Sequence, residues 1–149
     1  MVKVCLAASA GGHLKEILQL EKYYSKKKHY FVTFRRADGI SLAKKEKVYF
    51  VECPSRNPAK FLKNFSQSLK IFFKEKPDII ISTGADGAFA TCLIAKLSGK
   101  KVIYIESFCR PSNPSITGKL VYPFADLFIY QWKEVGKHYP KGKFGGSIF

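Results

Sequence analysis

Residues 2–14 read Val2-Lys3-Val4-Cys5-Leu6-Ala7-Ala8-Ser9-Ala10-Gly11-Gly12-His13-Leu14, and this stretch decides the fold. A run of Val, Leu and Ala suits a strand buried on both faces, as in a parallel sheet. It passes straight into Ser-Ala-Gly-Gly-His and then into a helical pattern. The Gly11-Gly12 pair lets the backbone turn tightly and come close to a ligand. A helix starting near His13 points its free N–H groups and positive dipole end into that turn, which suits phosphate or another anion. The competing reading is a tight strand-to-helix turn with no ligand. The loop is neither G-x-G-x-x-G nor G-x-x-x-x-G-K-S/T, so no nicotinamide, flavin or P-loop site is indicated. His13 adds a titratable side chain at the carboxyl end of the first strand, where open α/β sheets bind ligands.

Working outward, a helix is predicted over about 13–26, with Leu14, Ile17, Leu18 and Leu20 as its apolar side. A strand follows at 29–34, a loop at 35–39 and a third strand at 48–53, closed by Pro54. Pro58 opens a helix to about Lys76, the first-turn position proline favours. Its Phe61, Leu62, Phe65, Leu69, Phe72 and Phe73 recur at helical spacing among lysines. The first reading is a core-facing helix with a solvated lysine side; the rival is a helix lying on acidic lipid. Residues 77–83 form a fourth strand, followed by Gly84-Ala-Asp-Gly87 and a small-residue helix ending at Gly99. A strand at 101–105, an irregular 109–114, a short helix at 115–122, a strand at 126–131 and a glycine-hinged tail at 143–149 complete the chain.

Strands alternating with helices give an α/β fold, a Rossmann-like parallel sheet with helices on both faces and right-handed crossovers. At 149 residues the chain suits one domain, 1–149. In that topology the polar residues collect at the strand carboxyl ends: Ser9 to His13, Arg35-Arg36, Ser55-Arg56, Ser82 to Asp86, Glu106 to Arg110, and Gln131. One rim of the sheet is therefore the expected working edge.

There are 26 Lys+Arg against 11 Asp+Glu, a net charge of +15. Such a surplus implies an anionic partner: nucleic acid, an acidic membrane face or phosphorylated substrates. No nucleic-acid-binding module is recognisable and the basic residues are spread over every helix, so a basic nucleic-acid-binding α/β domain stands only as the alternative. The four scattered cysteines, Cys5, Cys53, Cys92 and Cys109, have no metal-ligand spacing and suit a reducing, cytoplasmic setting. No Asp-x-Asp pair is present, and neither metal nor cofactor is expected. No apolar run approaches the ~20 residues that span a membrane.

Several blocks occur in one characteristic order: Ser9-Ala-Gly-Gly-His13, Ser82-Thr-Gly-Ala-Asp86, Ala95-Lys-Leu-Ser-Gly99, Ile103-Tyr-Ile-Glu-Ser107, Thr117-Gly-Lys-Leu120, Ala125-Asp126 and Gln131-Trp132. Over nearly its whole length the chain resembles oligosaccharide biosynthesis proteins of the asparagine-linked glycosylation 14 type and their bacterial capsule and exopolysaccharide counterparts. More distantly, its Gly-Gly-His loop is similar to that of the peptidoglycan transferase MurG. The resemblance implies the N-terminal half of a split GT-B glycosyltransferase, in a heterodimer whose partner subunit binds the UDP-sugar. This half then holds a polyprenyl-diphosphate-sugar acceptor and brings the complex to the membrane. Eukaryotic members carry an N-terminal membrane helix. This sequence opens on its first strand, so contact is expected to be peripheral, on the cytoplasmic face of an anionic membrane. The family's C-terminal tail contacts the partner, which carries over to Gly145, Gly146, Ser147, Ile148 and Phe149.

An inverting sugar transfer needs a base for the acceptor hydroxyl and stabilisation of the leaving UDP. His13 is the first candidate base, since imidazole titrates near pH ~6.5. Asp86 and Glu106 are its rivals, although the family usually carries small residues at the position of Asp86. For Glu106 the competing reading is a carboxylate that braces its own loop. Ser9, Gly11, Gly12, Gly84 and Ser107 are candidates for holding the acceptor phosphates. Arg35, Arg36, Arg56 and Arg110 offer forked donors suited to diphosphate. Trp132 and Tyr130 are candidates for stacking on a sugar, with core packing as the competing reading.

Overall fold

Alternate residues of β1 (Lys3–Ala8) face two different cores. Cys5 and Ala7 join the larger one; Val4, Leu6 and Ala8 join the smaller. That two-residue period on an all-apolar strand is the mark of a sheet covered on both sides. A computed structural model describes residues 1–149 and carries β1 in the interior of the sheet, beside the central strand. After it come α1 (Gly12–Leu18), α2 (Glu21–Tyr24), β2 (Lys28–Phe34), α3 (Ala37–Leu42), β3 (Val48–Val51) and α4 (Pro58–Glu75). The second half supplies β4 (Ile79–Gly84), α5 (Asp86–Leu97), β5 (Lys101–Ile105), α6 (Ile116–Val121), β6 (Leu127–Tyr130), a 3₁₀ turn at Lys133–His138 and β7 (Lys143–Phe144).

All seven strands are parallel, in the order β3-β2-β1-β4-β5-β6-β7. The chain winds outward from β1 to β3, then returns to β4 and winds the other way. The switch point lies between β1 and β4, where ligands of doubly wound sheets bind. Leu14 and Ile17 of α1 and Tyr24 of α2 fill the smaller core. Phe72 of α4, Ala88, Cys92, Ile94 and Ala95 of α5, and Val121 of α6 fill the larger one. Cys5 and Cys92 are fully buried there, and burial pushes both thiols up to about 12.

Several elements depart from the sequence reading. The single helix expected over 13–26 is two short ones, because i→i+3 bonds from Gln19 to Glu16 and from Leu20 to Ile17 tighten and end the first. The loop expected at 35–39 starts α3 at Ala37. The 3₁₀ turn was not expected, and the tail begins as an edge strand.

The largest change is in α4. Its buried residues are Asn64, Ser68, Phe72 and Glu75, while Leu62 and Phe73 are 67% and 61% exposed. Its apolar stripe is therefore turned partly away from the core. The polar inner residues are satisfied: Asn64 donates to the carbonyls of Glu52 and Gly87, and Ser68 to Asn64. Glu75 meets Lys3, Lys47 and Tyr49 at the amino end of the sheet.

Candidate active site

Where β1 pairs with β4 the register slips by one, from Ala7–Ser82 to Ala8–Gly84, so Thr83 bulges. Bulges re-aim a residue and are frequent beside active sites. Here Thr83 is turned onto the start of α1. Its hydroxyl donates to the His13 carbonyl at 2.7 Å, and its own carbonyl lies 2.8 Å from His13 Nδ1. A carbonyl can only accept, so Nδ1 carries the proton. Neutral His13 therefore keeps its lone pair on Nε2. Gly84, at φ 101°, completes the arrangement: a Cβ there would sit 2.7 Å from the Tyr104 hydroxyl and 3.6 Å from the imidazole.

His13 lines a cleft of about 700 Å³ over the switch point. Gly12 and His13 open α1, Arg56 comes from the β3–α4 loop, and Ala85 and Asp86 stand at the start of α5. Ser107, Cys109 and Arg110 come from β5–α6. The amino end of the twelve-residue α5 opens onto it. Two guanidiniums, an imidazole and a helix amino terminus give the cleft the chemistry of an anion site. No group of three His, Cys, Asp or Glu side chains stands close enough to hold a metal ion.

Of the residues singled out in the sequence, Gly12, His13, Asp86, Ser107 and Arg110 thus share one cleft. Ser9, Gly11 and Gly84 do not line it. Ser9 is buried and its Oγ has no hydrogen-bond partner. The Gly11 N–H donates to the Asp38 carboxylate at 2.5 Å, so an acid of the same chain, brought by α3, already occupies that amide. Arg35 and Arg36 are not on the cleft wall, contrary to expectation. Arg35 lies 4.5 Å over the Phe50 ring, and Arg36 is the extended residue that opens α3. They follow the carboxyl end of β2, on the same rim but outside this cleft, and the loop expected over 35–39 turns into α3 at Ala37.

Glu106 is 1% exposed. Its oxygens accept from the Ser107 and Ser115 amides at 3.0 Å, from the Ser115 hydroxyl at 2.7 Å and from the Tyr139 hydroxyl. This is a carboxylate spent on its own loop, the bracing alternative. Trp132 donates its indole N–H to the Phe108 carbonyl at 2.7 Å, holding the same loop.

Glu16 was missed. It is 2% exposed and lines the floor of the cleft. It accepts from the Ser107 hydroxyl at 3.0 Å, from the Phe108 amide at 3.3 Å and from the Gln131 amide at 3.1 Å. Burial pushes its carboxyl up, against the pull of those bonds and of His13. The available signal was its spacing, three residues after His13 and so on the same side of the helix.

Tail residues Gly145–Phe149 lie outside the cleft and run beside the sheet. Gly145 donates to the Tyr130 carbonyl, Ile148 to the Gln131 side chain, and the Phe149 ring meets Phe108 edge-on. With Gln19–Tyr23 the tail borders a groove of about 490 Å³. Its floor is Ile81, Ile103, Ile105, Leu127 and Ile129, the part of the α1 face that no helix covers.

A family model described as "Oligosaccharide biosynthesis protein Alg14 like" matches residues 51–148. The mouse UDP-N-acetylglucosamine transferase subunit ALG14 is 27% identical over 99% of this chain and 83% of its own length. Its rat counterpart is 29% identical over 96% and 81%. Among solved structures, MurG of Acinetobacter baumannii superposes with a TM-score of 0.75 at 16% identity, covering 91% of this chain. UDP-N-acetylglucosamine 2-epimerase of Rickettsia bellii gives 0.80 at 15% identity, covering 99%. This chain spans only 42% and 45% of those two structures. The fold is thus the Rossmann-like lobe of a GT-B architecture, as the resemblance implied.

Proposed function

We propose a function from one premise: this chain belongs to the Alg14-like family of oligosaccharide biosynthesis proteins. It is the acceptor-side subunit of a two-chain glycosyltransferase that uses a UDP-sugar and a polyprenyl-diphosphate-linked sugar. The observation that carries this reading is the cleft at the switch point. There a tautomer-fixed imidazole faces the same space as Arg56, Arg110 and the amino end of α5.

In the proposed reaction the acceptor diphosphate lies against the two guanidiniums and the α5 amides. His13 Nε2 takes the proton of the acceptor hydroxyl as its oxygen bonds to the anomeric carbon. The carbon–oxygen bond to UDP breaks, and UDP leaves with the electron pair into the partner's half. Asp86, on the same cleft wall, is the second candidate for the base. Glu106 shapes the loop.

Two further roles belong to the proposal. No helix is long and apolar enough to cross a membrane. Exposed Leu62 and Phe73 among the lysines of α4 instead suit a helix resting on the anionic, cytoplasmic face of a membrane. The tail Gly145–Phe149, beside an open apolar groove, suits contact with the UDP-sugar-binding partner.

Reconstitution tests the reading. The chain is mixed with a companion carrying the UDP-sugar-binding half, a UDP-sugar and a polyprenyl-diphosphate-sugar. Activity is expected only from the pair. Turnover by this chain alone would overturn the split-enzyme proposal.

A further inference from the structure

The buried side chain of Gln131 links two places that the proposed function keeps apart, the cleft and the tail. Its NH₂ group donates to the Glu106 carbonyl at 2.9 Å and to Glu16 Oε2 at 3.1 Å, and its Oε1 accepts the Ile148 N–H at 2.9 Å. The amide is 4% exposed. Turning it over would set its oxygen against a carbonyl and a carboxylate, and its NH₂ against an N–H. Three good bonds would become three like-against-like contacts. The orientation is therefore set from both ends, by acceptors on the cleft side and by one donor on the tail.

Glu16 carries the link onward. One of its oxygens takes the Ser107 hydroxyl, and both face the Phe108 amide. Ser107 lines the cleft, and Glu16 stands on the same side of α1 as His13. A buried carboxylate needs these donors, because each one lost leaves it uncompensated away from water. The tail reaches the cleft floor through two side chains: Ile148 N–H to Gln131, and Gln131 to Glu16.

We propose that Gln131 and Glu16 are positioning residues that couple the seating of the tail at Ile148 to the placement of Ser107 and the cleft floor. The tail reports the state of the partner-facing edge, so this inference rests on the proposed role of the tail. The coupling itself is a property of this chain alone. With Ile148 seated, Gln131 presents NH₂ to Glu16 and the floor is held. With Ile148 displaced, the Gln131 oxygen loses its donor, and the amide, now held from the cleft side alone, shifts against Glu16 and changes the bond between them.

Carbon-13 and nitrogen-15 spectra of the full-length chain test this. Ile148→Pro removes one N–H at a half-buried position beside the groove and leaves Phe149 in the chain. The Glu16 carboxyl carbon and the Ser107 amide, which the tail does not touch, are expected to shift. In a Gln131→Leu background, Ile148→Pro is expected to add nothing at Glu16. Shifts confined to Gln131 and residues 145–149 would overturn the proposal. Should Gln131→Leu not fold, Ile148→Pro in the otherwise native chain decides it.

Titration with inorganic pyrophosphate separates the two readings. Binding at the His13 and Arg110 signals, weakened about fivefold by Ile148→Pro, supports the coupling. Equal binding to both chains contradicts it. Pyrophosphate without effect on the native chain defeats the anion reading of the cleft, and the Glu16 and Ser107 shifts still decide the relay.

Discussion

His13 acquires its candidate role from a neighbour that does no chemistry. The carbonyl of a bulged Thr83 fixes which nitrogen is protonated, so the other is available as a base. His13→Ala is expected to lower the turnover of the reconstituted pair by about 10²-fold or more, the usual contribution of a general base. A steady-state assay checks this, and full activity would remove His13 from the mechanism. A second residue-scale prediction concerns Gly118. A Cβ there would come within 2.3 Å of Glu106 Oε2 and 2.7 Å of the Tyr139 hydroxyl. Gly118→Ala is expected to destabilise the fold by about 2 kcal/mol, as overpacking a filled site does, read as a lowered thermal midpoint. At this scale the sequence was informative where chemistry and topology coincide. His13, Asp86 and Arg110 follow strand ends, and all three reached the cleft. Glu16 escaped notice because its importance lies in partners, Ser107 and Gln131, that are 91 and 115 residues away in the chain.

Among the elements, α4 holds most of the surprise. Its period was plain, but period does not say which side a sheet will take. Asn64 and Ser68 were drawn inward because the Glu52 and Gly87 carbonyls and Thr91 offered them partners. That left Leu62 and Phe73 outside. The double substitution Leu62→Ser and Phe73→Ser is expected to change stability by no more than about 0.5 kcal/mol per site. It should also abolish flotation with anionic vesicles, while the native chain floats at low salt and less so as salt rises.

Glu75, at the other end of α4, sets a pH dependence. Burial acts to raise its carboxyl, but Lys47, Tyr49 and Lys3 outweigh burial and hold it at about 2, against an ordinary 4.5. A depressed carboxylate stabilises the fold above its unfolded value, and that contribution is lost as pH falls from 4.5 toward 2. Glu75→Gln should therefore be less stable than the native chain at pH 7, by on the order of 3 kcal/mol. The two should converge in acid, as urea melts across that range would show. The strands were the easiest elements to read, since buried apolar runs bounded by Gly, Pro and charge leave few alternatives. The short α3, the 3₁₀ turn and β7 carry no comparable pattern, because packing decides them.

Over the whole molecule the sheet is covered unevenly. One face is sealed by α4, α5 and α6; the other is sealed only over its first half, leaving Ile81, Ile103, Leu127 and Ile129 along an open groove beside the tail. The solved structures of like fold are more than twice as long as this chain, which spans 42–45% of them. The formed cleft and the open apolar groove are the two features to which the proposed function assigns the acceptor and the partner. Parallel topology and the position of the working rim were legible in the alternation of strands and helices. The bare sheet face was not, because an apolar run reads alike whether a helix covers it or not.

The central claim is a division of labour, in which this chain grips the lipid-borne diphosphate and leaves the nucleotide to its companion. Isothermal titration of the chain alone, against a short-chain polyprenyl-diphosphate-sugar and separately against a UDP-sugar, tests it most directly. The account predicts heat from the lipid diphosphate, lost on joint Arg56→Ala and Arg110→Ala substitution, and none from the UDP-sugar. Binding of the UDP-sugar in the switch-point cleft, with indifference to the lipid diphosphate, would contradict it.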